Sequence, residues 1–206
     1  MSPGAAGTPV LARLAAALRE EGGLPPEVVH DPLPDADDRI GRAVADGPRA
    51  ADVGPALSLA AEATREAELL HHAPEHARVV RTDDRDLALL AGDRLYALGL
   101  ERLAVGGWTD EVAILADVVA LVARLHGPPA MAIGPASDGE EAGGTGAPDE
   151  AAARTTVLWS AAAAALGGGA GSRAAVLLRD VRDGGLPDSN ALTAVSAASP
   201  DGPPEH

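Results

Sequence analysis

The chain contains no cysteine, no lysine and no phenylalanine. Each absence closes off chemistry. Without cysteine there are no disulfides, no thiolate metal sites and no thiol nucleophile. Without lysine there is no Schiff base and no lysine of a phosphate-binding loop. Aromatic residues are limited to Tyr96, Trp108 and Trp159, so the core must be built from Leu, Val and Ala. Isoleucine and threonine are few, which leaves little to favour strands. Alanine has the best intrinsic helix propensity, and leucine and arginine follow closely. Composition therefore implies an all-α protein.

All 16 basic residues are arginine and 31 residues are acidic, for a net charge of −15. An acidic surface repels phosphate backbones, so no nucleic-acid partner is expected. The opening residues from Met1 to Pro9 lack a basic region followed by an apolar stretch, and no signal peptide is expected. The longest apolar run, around Val157 to Ala170, is glycine-rich and shorter than the roughly 20 residues that cross a bilayer. The expectation is a soluble, cytoplasmic protein. A length of 206 residues suits one domain.

Helical periodicity and punctuation divide the chain. Thr8 is placed to cap a first helix with Pro9 at its first position, and Val10, Leu11, Leu14, Ala15 and Leu18 share one face before Gly22-Gly23. Residues 24 to 35 read as a Pro-rich loop, followed by a short helix from Ala36 to Ala45. The next helix runs from Gly54 or Pro55 to His72, where Pro74 disfavours helix at Ala73. Thr82, Asp83 and Asp84 suit the start of a fourth helix carrying Leu87, Leu90, Leu95, Leu98 and Leu103. Thr109 is placed to cap a fifth, with Val112, Leu115, Val118, Val119, Val122 and Leu125 inward, ending at Gly127-Pro128. Residues 127 to 148 read as a disordered loop. A sixth helix spans Asp149 to Leu166, and a seventh, capped by Ser172, spans Arg173 to Asp183. The expected organisation is one helical domain over 1–183 and a disordered, mobile tail over 184–206.

Three stretches carry a family likeness. Leu57 to His72 reads Leu-Ser-Leu-Ala-Ala-Glu-Ala-Thr-Arg-Glu-Ala-Glu-Leu-Leu-His-His, Leu87 to Leu103 contains Leu-Leu-Ala-Gly-Asp-Arg-Leu-Tyr-Ala-Leu-Gly-Leu, and Ala153 to Gly169 opens on Ala-Arg-Thr-Thr. In order and spacing, over about residues 55–170, they resemble the trans-polyprenyl diphosphate synthases, the polyprenyl synthetase family. The first looks like that family's helix ending in Leu-Leu-His-Asp-Asp, the second like its Gly-Asp helix, the third like its Lys-Thr helix. The resemblance implies an isoprenoid-synthase-like antiparallel helical bundle, here incomplete, from a truncated and degenerate member of the family. It also implies a place in isoprenoid biosynthesis.

The family's chemistry needs two Asp-rich motifs holding magnesium on an allylic diphosphate, since Mg²⁺ wants hard oxygen ligands in octahedral geometry. Here Leu69-Leu70-His71 is followed by His72-Ala73-Pro74-Glu75-His76, with both leading aspartates replaced and Pro74 breaking the helix. Imidazole is a poor ligand for Mg²⁺. The second motif has only Asp180 and Asp183 to offer, which read as solvated charges beside Arg179 and Arg182. Remnants of the family pattern are Gly92-Asp93 and the diphosphate-contacting pair, Arg154-Thr155; arginine can bind phosphate bidentately. No residue is assigned as catalytic. The resemblance implies a non-catalytic or regulatory subunit of a polyprenyl diphosphate synthase. Such a subunit forms a homo- or hetero-oligomer with the active enzyme, has a prenyl diphosphate as its possible ligand, and needs no cofactor. Two alternatives stay open: a divergent active prenyltransferase, which would need Mg²⁺ at Asp83, Asp84 and Asp86, and a helical scaffold unrelated to prenyl transfer.

Competing signals are local. His71, His72, Glu75 and His76 form a dense cluster from which Zn²⁺ or Fe²⁺ could draw two imidazoles and a carboxylate, with Asp83 or Asp84 completing the sphere. Against that, Pro74 spoils the helical spacing. Thr82 to Asp86 is explained by capping with surplus charge. Ser160 and Ser172 lack a Gly-x-Ser-x-Gly context, and Gly167 to Gly171 is not followed by Lys-Ser/Thr, so neither a hydrolase nor a phosphate loop is supported.

Overall fold

A computed structural model describes residues 8–126, 148–184, 193–195 and 197. Among these the chain is all-α: α1 (Val10–Glu21), α2 (Arg39–Ala45), α3 (Ala50–His72), α4 (Arg85–Val105), α5 (Thr109–His126), α6 (Pro148–Gly168) and α7 (Arg173–Asp183), with short 3₁₀ turns at Pro26–Val28 and Pro74–His76. A single antiparallel bridge joins Val29 to Val80. No helix of the described residues is long and apolar enough to cross a membrane.

The organising element is α3. Leu57, Ala60 and Ala61 enter one apolar cluster with residues of α2, α5, α6 and α7. Leu59, Ala63, Ala67 and Leu70 enter a second cluster with α1, α4 and the Val28-Val29 and Val79-Val80 segments. With an apolar cluster on each flank, α3 is buried over most of its length from Leu57 to Leu70. It lies antiparallel to α4: Gly92 faces His71 and the Ala67 carbonyl, while Gly99 faces Ala60 and Thr64. Small residues allow this approach, since a Cβ on Gly92 would stand 2.5 Å from His71 Cδ2.

A second close approach ties the two ends of the fold together. A Cβ on Gly47 would stand 2.6 Å from the Gly167 Cα. Beside it, Arg49 N donates to the Gly167 carbonyl at 3.4 Å, and the Arg49 side chain pairs with the buried Glu111.

Several boundaries follow the sequence. Gly22 and Gly23 take positive φ of 68° and 88° after α1. Asp84 caps α4 through its carboxylate, which accepts from Asp86 N and Leu87 N. Ser172 caps α7 by accepting from Ala175 N, and Gly184 follows that helix. Others differ. Pro9 itself holds the cap position of α1, and Thr8 makes no cap bond. The helix α2 starts at Arg39 rather than Ala36, because the Asp37 side chain turns the chain by accepting from Arg39 N. α3 begins at Ala50 and runs through Pro55, since burial on both sides overrides local propensity. Thr109 is the first residue of α5 rather than its cap, with Val112 N bonded to the Trp108 carbonyl. Leu90 points outward at 63% exposure, while Ala88 and Ala91 face the core in its place.

The loop expected at residues 127 to 148 lies outside the described residues as far as 147, and Pro148 already belongs to α6. The tail expected from 184 onward is described only at Gly184, 193–195 and 197, where Val195 is buried in the larger cluster.

Candidate functional site

Six titratable residues lie on the last half of α3: Glu62, Arg65, Glu66, Glu68, His71 and His72. With apolar neighbours on both flanks, the helix has no broad water-facing side. These groups must find partners inside the protein, because an unpaired buried charge is costly.

Glu62 and Glu66 turn to Arg78, in the segment before α4. Both carboxylates are fully buried. Arg78 Nη1 donates to Glu62 at 2.5 Å, and its Nε donates to Glu66 at 2.9 Å. Glu66 Oε1 also accepts from the backbone N–H groups of Arg78, Val79 and Val80 at 2.7, 2.6 and 3.1 Å. Glu62 Oε1 accepts from Gly41 N at 2.6 Å. One guanidinium serves two acids, and the balance is uneven. Burial would lower the Arg78 pKa, yet the two carboxylates together raise it. Burial pushes the Glu62 carboxyl up against the pull of Arg78 and Gly41.

Arg65 and Glu68 turn the other way, toward α5 and α6. They pair with each other, and the Arg65 guanidinium lies 5.7 Å from the centroid of the buried Trp159 ring. Burial, followed by the nearby Arg78 charge, lowers the Arg65 pKa to about 10. Glu68 Oε1 stands 3.3 Å from Nε2 of His126, the last residue of α5. Thr155 Oγ1 of α6 stands 3.4 Å from the same nitrogen. The His126 ring stacks on His72 with centroids 3.9 Å apart and planes within 9°. Burial, then repulsion from His126, His71 and Arg85, lowers the His72 pKa to about 4. The His126 pKa is lowered by burial and by Arg65, which together outweigh its contact with Glu68. These groups border a cavity of about 740 Å³, also lined by Asp37, Glu75, His76 and Thr156.

The residues expected to act together are dispersed. His71 and His72 diverge from the end of α3. His71 packs on Gly92, with Nε2 3.3 Å from Asp93 Oδ1 and its ring 5.5 Å from that of Tyr96. Burial, with Asp93 beside it, raises the Tyr96 hydroxyl to about 12. His76 is exposed on the 3₁₀ turn, 3.9 Å from Glu75. Asp83 is exposed and Asp84 is committed to its helix cap. Among the described residues no group of three or more His, Asp or Glu side chains is placed to hold a metal ion. The candidate metal set His71, His72, His76, Asp83 and Asp84 is not gathered at one point: His71 turns to α4, Asp84 caps α4, and His72 and His76 border the cavity without a third ligand from the set. Of the Arg154-Thr155 pair, Thr155 is buried and reaches the cavity, and Arg154 is half-buried beside it. Gly92 and Asp93 serve the α3–α4 contact.

Sequence reasoning passes over Arg65, Glu68 and His126. The available signal was the charge on a helix whose apolar residues leave no face for water. The donors around the cavity are imidazoles, hydroxyls and three carboxylates, of which Glu68 is engaged by Arg65, Asp37 by Arg39, and Glu75 stands on the exposed turn beside His76. That set does not fit Mg²⁺, which needs several hard oxygens in octahedral array. Comparison of the chain with protein-family models, with curated proteins and with solved structures finds no match.

Proposed function

We propose that this chain is a polyprenyl synthetase-like protein that does not catalyse prenyl transfer alone and acts as a regulatory subunit beside an active polyprenyl diphosphate synthase. One observation carries the reading. Where the family likeness of Leu69-Leu70-His71 calls for a metal-binding aspartate, the chain has His72, and its ring is stacked on His126. The antiparallel pairing of α3 with α4 at Gly92 and Gly99 supports the likeness on which the reading depends. The cavity arginines, Arg65 and Arg78, are both engaged by buried carboxylates, which leaves them poor partners for a diphosphate. The alternative in which Asp83, Asp84 and Asp86 hold magnesium is disfavoured, since Asp84 spends its carboxylate on Asp86 N and Leu87 N.

The test has two arms. The purified full chain, given isopentenyl diphosphate, an allylic diphosphate and Mg²⁺, is expected to form no elongated product. Co-expressed with a complete synthase from the same genome, it is expected to co-purify and to change that enzyme's rate or product length. Elongation by the chain alone, or no complex, would overturn the proposal.

A further inference from the structure

The stacked imidazoles have a consequence independent of any prenyl chemistry. His72 ends α3 and His126 ends α5, so their 3.9 Å stack joins two helix ends over the cavity that α6 closes from the third side. We propose that this stack is an acid-sensitive latch: it clasps the ends of α3 and α5 together beside the cavity, stays closed while at least one ring is neutral, and opens when both are protonated.

The argument begins from the stack. A neutral imidazole against another ring packs well, and one charged ring over a neutral one is also tolerated. Two like charges at that separation repel, and the repulsion is strong where water is partly excluded. The surroundings decide which ring is protonated first. His126 faces Glu68 and the Thr155 hydroxyl, so a proton on Nε2 has acceptors at 3.3 and 3.4 Å. His72 has no such relief. It is flanked by His71 at 6.2 Å between ring centroids, and the charge of Arg85 at the start of α4 acts on it.

The remaining charges do not cancel this. Arg65 adds positive charge from α3, and its partner is the same Glu68 that faces His126. Arg78, from the segment before α4, is held by Glu62 and Glu66. Asp37 bonds Arg39. Glu75 and His76, on the 3₁₀ turn after α3, face largely to water and to each other. The second proton on the pair therefore meets a net repulsion, and the two rings titrate as a coupled unit rather than independently.

The sign follows. Both imidazoles are held below their ordinary 6.5 in the closed form, and an opened form returns them toward it. Closure is then fully favoured above pH 6.5 and is progressively lost as pH falls toward about 4. Trp159 reports on it, since it is buried behind Arg65, whose side chain lines the cavity.

The experiment uses the full chain carrying Trp108→Phe, which leaves Trp159 as the single tryptophan. Acrylamide quenching of Trp159 is followed from pH 7.5 to about 4 together with far-ultraviolet circular dichroism. The expected result is a reversible rise in quenching below pH 6.5 with the helical signal retained, and no such rise in a His72→Leu/His126→Leu variant. Carboxylates that titrate in the same range are shared by both proteins, so the double variant separates their contribution. Quenching independent of pH, an equal rise in the double variant, or a rise coincident with loss of helix would each overturn the latch. Should the double variant not fold, histidine NMR of the parent chain decides. A His72 ring titrating at 6.5 refutes the latch; a value well below that, moving up in His126→Gln, supports it.

Discussion

The two charge clusters of α3 differ in how completely they are enclosed. Glu62, Glu66 and Arg78 form a sealed unit in which every carboxylate oxygen has a partner and backbone amides share the load. Arg65, Glu68, His72 and His126 sit one turn away and are less enclosed: the Arg65 and His126 side chains are each 21% exposed against 9% for Arg78, and two of the four are imidazoles. The contrast separates two uses of buried charge. The sealed cluster fixes where the segment before α4 crosses α3. The open one leaves a joint whose strength depends on solvent conditions.

The comparison breaks most sharply at Arg78. Replacing it with alanine strands Glu62 and Glu66 without their cation, and the expected loss is about 3–5 kcal/mol in equilibrium denaturation. Glu68→Gln should cost less, about 1.5–3 kcal/mol, because Arg65 keeps its seat on Trp159 and reaches water through the cavity. A loss equal to that of Arg78→Ala would show the two clusters to be energetically alike.

Proton dependence sharpens the contrast through its sign. The Glu62 carboxyl is raised in the folded state, so its contribution is fully present below 4.5 and is lost as pH rises through the raised value. His72 is lowered from 6.5 to about 4, so its contribution is present above 6.5 and is lost as pH falls toward 4. Water screens His72, so its share is of order 1 kcal/mol. Denaturation midpoints measured from pH 7 to 4 should therefore fall less steeply in His72→Gln than in the parent, and Glu62→Gln should steepen the fall. The smallest effect is reserved for a site in neither cluster. Asp84→Ala removes the α4 cap and should cost about 1 kcal/mol in equilibrium denaturation.

Most of the helices were legible because punctuation and periodicity agree. Ser172 before Arg173 and Asp84 before Arg85 are cap residues at the start of apolar-patterned runs, and both cap as expected. Pro55 misled the start of α3, since local propensity says nothing of a helix held on both sides. Leu90 misled for a related reason. Alanines at 88 and 91 fill the tight face against α3, leaving the larger residue outside. The site was less readable. The neighbouring histidines 71 and 72 invite a shared metal, but successive helix positions diverge by about 100° and these two face different helices. His126 lies 54 positions from His72 in sequence, and no local pattern links them.

Because α3 supplies a wall to both apolar clusters, neither cluster exists without it. A polypeptide cut between α3 and α4 would divide the second cluster, and one cut before α3 would leave α1 and α2 with nothing to rest on. The two lobes cannot melt in separate steps, so heat or denaturant should remove them in one cooperative transition. Amides near the middle of α3 should then exchange with deuterated solvent only when the whole chain opens.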